Sequence, residues 1–455
     1  MFRQTLRPLA AGVTILSLLA ACGGKDSAVG TPNPPAGTNP ETKVEQQPIK
    51  PEEKPRETVE ISIFHYNGTW NQEQNEKVFA EPVMKKFPYI KVKAITYTGA
   101  KQLEEMVVAG EIPDLIISTP GPGFETTIGQ FKGEQDIMPL IKQYNYDLNQ
   151  LDPSAVGVVR SLAPEGKLYS LPIIMAPNVL YYNKSLFDKF GVAYPANDMT
   201  WDDLYEMNKK LTRLDAGVQY LGFMLSYVHL MRLNQVSQRL FDDTGEKVAF
   251  ESNQLKDYLT NVFRNFQLPG YDLSGNLNFV PMFVKDQTLA MLEPGGTLLG
   301  EDSLKGMNWD FAPFPSLKEK PGVGYQSYPF IISMFNTSKH KEEAFEAMAF
   351  LTSKEYQTES TKQGVLLPVL NDRTIVQQFG QQSDFYKGKN VSVLLPKQFA
   401  PVPDEPFSKY TAIAHNNLYT VFTKVLREKK DINTAFREAT EQANKQIAEQ
   451  KAAGN

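Results

Sequence analysis

Histidine and cysteine are the side chains most typical of zinc and other transition-metal sites. The four histidines, His65, His229, His340 and His415, are far apart in the sequence, and none belongs to an HExxH pattern. The single cysteine, Cys22, excludes an internal disulfide and the zinc sites that need paired cysteines. The sequence therefore does not favour a metal enzyme, and we expect neither a metal nor a cofactor.

Cys22 is placed for lipid attachment. It follows two arginines and an apolar run over 9–21, which is shorter than the roughly 20 residues of a transmembrane helix. This arrangement is typical of a secretory signal, and Leu19-Ala20-Ala21-Cys22 resembles the bacterial lipobox, in which the cysteine is lipidated. We therefore expect residues 1–21 to be a lipoprotein signal peptide and Cys22 to anchor the chain to the extracellular face of the cell membrane.

The segment that follows Cys22 has the composition of a tether. Residues 23–57 contain seven prolines and no aromatic residue, so they cannot bury enough apolar surface to fold. We expect residues 22–57 to be a lipidated, disordered, proline-rich tether. Its length favours a Gram-positive cell surface.

The length and charge of the chain limit what the rest can be. A chain of 455 residues exceeds one ordinary domain core, so two lobes are expected. The formal net charge of −5 is spread along the sequence without a basic patch. Nucleic acid is therefore not an expected partner.

The start of the body has a repeating order of elements. Apolar patterns predict strands over 59–64, 90–95 and 115–117, with helical patterns around 78–87 and 103–107 between them. Strand, helix, strand, helix, strand is typical of a parallel sheet with right-handed crossovers. Ligands of such sheets bind beyond the carboxyl ends of the strands, which here are 66–71 and 118–124.

A series of short motifs follows in a fixed order, and together they carry a family resemblance. After the lipobox come Gly110-Glu111-Ile112-Pro113-Asp114-Leu115, Gly166-Lys167-Leu168-Tyr169-Ser170-Leu171-Pro172, Leu180-Tyr181-Tyr182-Asn183-Lys184-Ser185-Leu186-Phe187, Thr200-Trp201-Asp202-Asp203-Leu204, Leu289-Ala290-Met291 and Ile432-Asn433-Thr434-Ala435-Phe436-Arg437-Glu438-Ala439. Over roughly 58–445 the chain resembles the family 1 extracellular solute-binding proteins of carbohydrate ABC importers.

The resemblance implies an α/β, periplasmic-binding-protein-like fold. Its two lobes would contain mainly parallel sheets flanked by helices, with a hinge that the chain crosses three times. The expected N-terminal lobe is 58–174 with 330–370, the C-terminal lobe is 179–325 with 377–455, and the hinge crossings lie near 175–178, 326–329 and 371–376.

The resemblance also implies where a ligand would bind. Sugars present hydroxyls around flat apolar faces, so their sites combine aromatic rings with amides and carboxylates. The family's contact positions follow the first strand, the Pro-Asp-Leu strand and Leu-Ala-Met, and they also include the hinge and the last helical region. On this chain those positions are His65, Asn67, Trp70, Asn71, Ser118, Thr119, Phe124, Glu125, Met175, Asn178, Glu293, Gly295, Gly296, Thr297, Tyr325, Gln326, Tyr328, Tyr410, His415 and Asn416.

The tryptophans depart from the family pattern. Many sugar-binding members carry a tryptophan after Leu-Ala-Met, whereas this chain has Pro294-Gly295-Gly296-Thr297-Leu298. Trp201 is expected to pack a helix and Trp309 to lie in a strand, which leaves Trp70 as the main platform. Trp70 has an alternative role as an apolar lid over the first helix.

Several other candidates also have structural alternatives. His65 at a strand end fits a hydrogen-bonded structural histidine. Gly295 and Gly296 fit a simple turn, and Glu125 fits a solvated loop charge.

The function implied by the resemblance is solute capture without turnover. The chain would bind a neutral polyhydroxylated solute, a sugar or an oligosaccharide, and deliver it as a monomer to the permease subunits of an ABC importer. The candidate loops lack the converging carboxylates that a polyamine would need. A ligand-sensing lipoprotein that feeds a signalling partner is one alternative. A second is an extracellular glycosidase, which needs two carboxylates about 5 Å or 6.5–9.5 Å apart.

Overall fold

The structure, a computed structural model, describes residues 56–454 apart from 67, 69 and 276–278. These residues belong to one compact unit that begins at Arg56. The expected signal peptide, the lipidation site Cys22, nearly all of the tether and the candidate Asn67 lie outside the described residues.

The apolar segments of the described chain form twelve strands, which are β1 (Val59–His65), β2 (Ile90–Thr96), β3 (Leu115–Ser118), β4 (Ser170–Met175), β5 (Val179–Asn183), β6 (Arg213–Asp215), β7 (Val218–Leu225), β8 (Leu289–Glu293), β9 (Trp309–Pro313), β10 (Val323–Gln326), β11 (Pro329–Met334) and β12 (Gln398–Ala400). The first three coincide closely with the strands expected from the sequence, and Trp309 begins a strand.

The helices of the described chain are α1 (Gln72–Asn75), α2 (Glu81–Lys86), α3 (Gln102–Ala109), α4 (Pro122–Thr127), α5 (Met138–Gln143), α6 (Pro153–Ser161), α7 (Lys184–Phe190), α8 (Trp201–Leu211), α9 (Tyr227–Arg232), α10 (Asn253–Phe263), α11 (Val280–Val284), α12 (Glu301–Leu304), α13 (Lys341–Leu351), α14 (Lys354–Lys362), α15 (Arg373–Val376), α16 (Thr411–Leu426) and α17 (Ile432–Ala452). A π-helical turn, Glu76–Ala80, joins α1 to α2.

The strands build two five-stranded sheets and one small pair. The first sheet has the order β2-β1-β3-β11-β4, and the second has the order β6-β7-β8-β5-β9. In the first sheet β1 pairs in parallel with β2 and β3, while β11 is antiparallel to both of its neighbours. The second sheet has one parallel pair, β7 with β8, and β10 pairs with β12 outside both sheets.

The expectation of mainly parallel sheets was wrong, because both sheets are mixed. β5 enters the second sheet directly from the end of the first, and it runs antiparallel to β8 and β9. β11 returns to the first sheet and likewise runs opposite to its neighbours. A strand that crosses over from the other sheet starts at the edge where its new neighbours end. Each crossing therefore introduces an antiparallel strand.

Two short links lead out of and into the first sheet. Ala176–Asn178 joins β4 to β5 of the second sheet, and Ser327–Tyr328 joins β10 of the small pair to β11. The links lie side by side, since the backbone N–H of Ala176 donates to the carbonyl of Tyr328 at 3.1 Å. The side chain of Asn178 accepts from the backbone of Tyr325 at 3.0 Å.

The chain passes between the two sheets a third time beyond α14. The backbone N–H of Asn371 donates to Gln150, on the side of the first sheet, at 2.8 Å. The backbone N–H of Asn390 donates to the carboxylate of Asp310 in β9 at 2.7 Å. The chain therefore moves from one side to the other between these residues.

Local sequence signals explain where some helices begin. Thr200 accepts from the backbone of Asp203, whose carboxylate accepts from the backbone of Thr200 at 2.9 Å. This capping box satisfies free N–H groups at the start of α8. The next residue, Trp201, is 1% exposed and donates its indole N–H to Gln235 at 2.7 Å, which is the packing role expected for it.

Candidate functional site

Gly121 lies in the turn that follows β3, at the edge where the parallel strands of the first sheet end. Its φ of 68° is in the left-handed region that favours glycine. A Cβ on Gly121 would stand 3.7 Å from Nδ1 of His415 and 3.9 Å from an η nitrogen of Arg232. Gly121, at the edge of the first sheet, thus lies next to one side chain from α9 and one from α16. These two helices pack against each other.

Arg232 is the last residue of α9, the helix that follows β7. Its guanidinium carbon lies 4.6 Å from the centre of the Tyr328 ring. The guanidinium also interacts with the hydroxyl groups of Tyr328 and Tyr419. Among the described residues the largest electrostatic contributions to Arg232 come from these two tyrosines, and a carboxylate is not among those contributions.

His415 lies on α16 and is 6% exposed. Its ring stacks on that of Tyr419, with the centroids 6.0 Å apart and the planes at 6°. Nδ1 is buried and has no hydrogen-bond partner among the described residues. Burial, and then the charge of Arg232, lowers the pKa of His415 to about 3. The imidazole is therefore neutral at physiological pH.

Residues from both sides enclose a cavity of about 120 Å³. Its lining includes Pro120, Gly121, Arg232, Gln326, Ser327, Glu405, Ser408, Thr411 and His415. Pockets for small molecules usually have volumes of about 300–1,000 Å³. A sugar-sized guest therefore needs the walls of this cavity to move apart.

Glu293 holds the turn that follows β8. Its carboxylate accepts from the backbone N–H groups of Gly295 at 2.8 Å, Gly296 at 3.0 Å and Ser226 at 3.2 Å. Glu293 is 1% exposed, and burial raises its pKa to about 7. Both glycines have φ near +75°, and the half-buried Thr297 follows them. The turn is thus built around a buried carboxyl group.

His229 connects this turn to the tyrosine beside Arg232. Nδ1 of His229 lies 2.6 Å from the hydroxyl of Ser226. Its ring meets that of Tyr328 edge to face at 5.3 Å. Burial, and then the charge of Arg232, lowers the pKa of His229 to about 3. His229 is therefore a neutral neighbour of the guanidinium.

The hinge candidates are buried around the two links. Met175 accepts from the hydroxyl of Ser327 at 3.5 Å through its sulfur. The ring of Tyr325 packs 3.9 Å from that of Phe314. Gln326 lines the cavity and donates to the carbonyl of Asn234 at 3.1 Å. Tyr328 is the hinge candidate that faces Arg232, and Asn178 holds the neighbouring backbone as described above.

The candidates after β1 lie apart from this cavity. His65 is 2% exposed and accepts from or donates to Asn75 at 2.7 Å, and burial lowers its pKa to about 4. Trp70 is half-buried and stacks on Phe79 at 5.5 Å, and it borders a separate groove of about 900 Å³. Asn71 caps α1 by accepting from the backbone of Gln74 at 2.9 Å.

The candidates after β3 surround Gly121 in the sequence and serve mainly to hold its turn. Ser118 is fully buried and lies 3.3 Å from the hydroxyl of Thr127. Thr119 packs over Gly123, and Phe124 stacks on Tyr169 at 6.3 Å. Glu125 lines a neighbouring cavity, and burial and then the charge of Glu134 raise its pKa.

The last two candidates do not reach the cavity. Tyr410 is 4% exposed, with the ammonium groups of Lys409 and Lys451 over its ring at 5.4 and 5.6 Å. Asn416 is exposed on α16. The structure thus brings Gln326 and His415 to the cavity. Tyr328 lies behind Arg232, and Gly295 and Gly296 lie against His229 and Tyr328.

Sequence reasoning missed four residues of this site, Gly121, His229, Arg232 and Tyr419. The signal that could have found Arg232 is its place soon after the apolar strand Val218–Leu225, at a strand end where ligands bind in such sheets. The candidate positions lie at other strand ends, and the end of β7 is not among them.

Comparison with known families places this site in context. A model of the bacterial extracellular solute-binding proteins matches residues 69–358. The chain belongs to this family. The resemblance noted in the motifs is therefore confirmed, and we refer to the chain below as the solute-binding protein.

Individual relatives are distant. A mannitol-binding protein of Pseudomonas aeruginosa is 30% identical over 237 residues, which are 48% of the solute-binding protein and 50% of the relative. A binding protein of Brucella abortus is 25% identical over 283 residues, 56% of this chain, and the match spans 64% of the relative's length. The solute-binding protein thus spans less than two thirds of these curated relatives.

Solved structures confirm the fold. The ABC substrate-binding protein Lmo0181 of Listeria monocytogenes, in complex with cycloalternan, superposes with a TM-score of 0.67 at 21% identity, covering 86% of the solute-binding protein and 100% of that chain. The solute-binding protein accordingly has the two-lobed, periplasmic-binding-protein-like α/β fold expected from the motifs. None of its described helices is long and apolar enough to cross a bilayer.

Proposed function

We propose that the solute-binding protein captures a carbohydrate between its lobes and delivers it to the permease subunits of an ABC importer. The observation that carries this proposal is the cavity where Gly121 of one lobe meets Arg232 and His415 of the other. A guest held there contacts both lobes. Such a guest favours the closed form, because only that form offers all of its contacts.

The lobes of this proposal follow the two sheets. One lobe is 58–174 with 330–370, and the other is 179–325 with 377–455. The hinge segments are 175–178, 326–329 and 371–376. The links Ala176–Asn178 and Ser327–Tyr328 support this division, because each is only a few residues long and joins strands of different sheets.

The side chains around the cavity suit a polyhydroxylated ligand. The cavity lining contains the aromatic ring of Phe241, the amide of Gln326 and the hydroxyls of Ser408 and Thr411, which is the mixture that sugars require. The relative from Pseudomonas aeruginosa is a mannitol-binding protein, and the Listeria structure contains cycloalternan. Both support a sugar, a sugar alcohol or an oligosaccharide as the class of ligand, bound without turnover.

The proposal also includes the cellular location of the protein. Cys22 would carry a lipid anchor on the extracellular face of the membrane, and residues 22–57 would let the body reach the permease as a monomer. The family's extracellular character supports this location.

A ligand screen tests the proposal. The full chain is heated with sugar alcohols, monosaccharides and oligosaccharides, and a ligand at 100 times its dissociation constant should add about 2.7 kcal/mol to the free energy of unfolding. Calorimetry on Gly121→Ala should then show weaker binding, because the new methyl group occupies the space before Arg232 and His415. Gly388→Ala is the matched control, since Gly388 has a φ of 73° and no neighbour within 4 Å of a Cβ. A complete absence of stabilisation by the panel would contradict the proposal.

A further inference from the structure

Arg232 is a cation without a counter-ion in the part of the chain that the structure describes. The largest electrostatic contributions to it there come from the hydroxyls of Tyr328 and Tyr419. The two histidines beside it, His229 and His415, are neutral. Removing a charge from water is costly unless an opposite charge or strong hydrogen bonds replace the water. The guanidinium is thus an unbalanced positive charge at the cavity wall.

His415 adds an independent sign of an unmet partner. Its Nδ1 is buried without a hydrogen-bond partner among the described residues, and the residue lines the same cavity. Buried polar atoms are nearly always hydrogen-bonded in folded proteins. An acceptor placed between Nδ1 and the guanidinium would satisfy both groups.

Gly121 keeps that position accessible. Nδ1 of His415 and an η nitrogen of Arg232 lie 3.7 and 3.9 Å from the place of its missing Cβ. Any other residue would put a side chain where the two nitrogens converge. The positive φ of 68° makes glycine the favoured residue at this point.

The carboxylates near the cavity are engaged elsewhere. Glu405 lines the cavity, but its carboxylate accepts from the backbone N–H groups of Leu240 at 2.7 Å and Phe241 at 3.0 Å, and its charged neighbour is Arg239. Glu293 is bound to the backbone of its own turn. Neither carboxylate neutralises Arg232.

We propose that the solute carries an anionic group, a carboxylate or a phosphate, which binds between Arg232 and His415. This inference rests on the proposed function and narrows it from carbohydrates in general to acidic ones, such as uronic acids or sugar phosphates. It departs from the neutral solute expected from the sequence, because Arg232 was not among the candidate residues. Guanidinium groups match both anions geometrically and form their strongest hydrogen bonds with them.

Matched ligands test the proposal. Calorimetry on the full chain uses triads that share one sugar ring, such as glucose, glucuronic acid and glucose 6-phosphate, together with corresponding sets from other hexoses and disaccharides. A charged member should bind about tenfold or more tightly than its neutral counterpart, as expected for a charge-assisted hydrogen bond. Comparing the affinity for the uronic acid with that for the sugar phosphate shows whether the site prefers a carboxylate or a phosphate.

Variants locate the effect. Arg232→Gln should lose that tenfold preference, so that charged and neutral members of a triad bind alike, and Arg232→Lys should retain part of it. Arg437→Gln is the control, because Arg437 forms an exposed i,i+4 pair with Glu441 on α17. Should Arg232→Gln not fold, the comparison of charged and neutral ligands on the natural chain still decides the question.

The outcomes separate the two proposals. Preferred binding of neutral sugars, with charged counterparts weaker or equal, overturns the anionic solute and leaves the proposed function intact. Binding of charged sugars that Arg232→Lys and Arg232→Gln leave equally strong also overturns it. Failure of every sugar, charged or neutral, to bind contradicts the proposed function and this inference together.

Discussion

A Cβ on Gly295 would stand 2.6 Å from Nδ1 of His229, which is closer than real Cβ atoms approach a ring nitrogen. His229 in turn lies edge to face with Tyr328, the tyrosine under Arg232. The backbone of the turn after β8 thus determines where the ring of His229 can lie. The position of that ring in turn limits the position of Tyr328 beside Arg232.

Gly295→Ala should therefore destabilise the protein by about 2 kcal/mol or more, because it combines a strained φ with a collision. Urea unfolding measures the change. Gly306→Ala is the matched control, since Gly306 has the same φ of 76° but open space around a Cβ. If both variants lose the same stability, the contact with His229 is not a constraint.

A carbohydrate that also occupies the groove beside Trp70 should bind Trp70→Ala about tenfold or more weakly, as truncation of an aromatic hot spot commonly causes. Trp70 is half-buried beside a groove of about 900 Å³, and its other face stacks on Phe79. Calorimetry with the best ligand of the screen measures the loss. Trp70→Phe preserves an aromatic face and should retain most of the affinity. Unchanged binding by Trp70→Ala, with lowered stability, would assign the ring to the lid role alone.

Glu293 should give the protein a pH-dependent stability. Its folded-state pKa is raised by burial from 4.5 to about 7, so the folded state holds a proton that the unfolded state has released between these values. The contribution of Glu293 is fully present below about pH 4.5 and is lost as the pH rises through 7, by up to about 3 kcal/mol.

Glu293→Gln tests this dependence, because glutamine does not titrate. The free energy of unfolding of the variant, minus that of the natural chain, should rise between pH 5 and pH 7.5. Buried histidines act with the opposite sign, so the difference between the two proteins is the quantity to measure. A difference that stays constant with pH would show that Glu293 is ionised throughout.

Cys22→Ala should prevent lipid attachment. The variant should be released into the medium or remain uncleaved, because it lacks the thiol that would accept the lipid. Membrane fractionation and mass spectrometry of the N-terminal peptide provide the measurement. A variant that is still lipidated would refute the lipobox interpretation, whereas Ser27→Ala in the tether should behave like the natural chain.

Much of the fold could be predicted because its signals are local. The apolar pattern of 59–64 and the threonine cap at Thr200 involve neighbours in the sequence, and the structure places β1 at Val59–His65 and the start of α8 at Trp201. The direction of a strand relative to its neighbours, in contrast, does not depend on local sequence. β5 and β11 run against their neighbours because each arrives from a strand outside its own sheet, which no pattern within either strand shows.

The site was harder to predict than the fold. Tyr328 and His415 were found through the resemblance, whereas Arg232 comes next to them only after β7, β10 and α16 have packed. Its importance lies in the absence of a carboxylate beside it within the described residues. The sequence contains 52 acidic residues, and it does not show which basic side chains they pair with in the folded protein.

The two short links would set the kind of movement available to the proposed hinge. Ala176 and Tyr328 are hydrogen-bonded to each other across the links, so the links would act as one axis and not as two independent tethers. Rotation about that axis would leave the link residues with their own neighbours. It would separate Gly121 from Arg232 and His415 instead. Release of the cargo would then require the loss of only a few interactions at the mouth, while the core of each half stays intact.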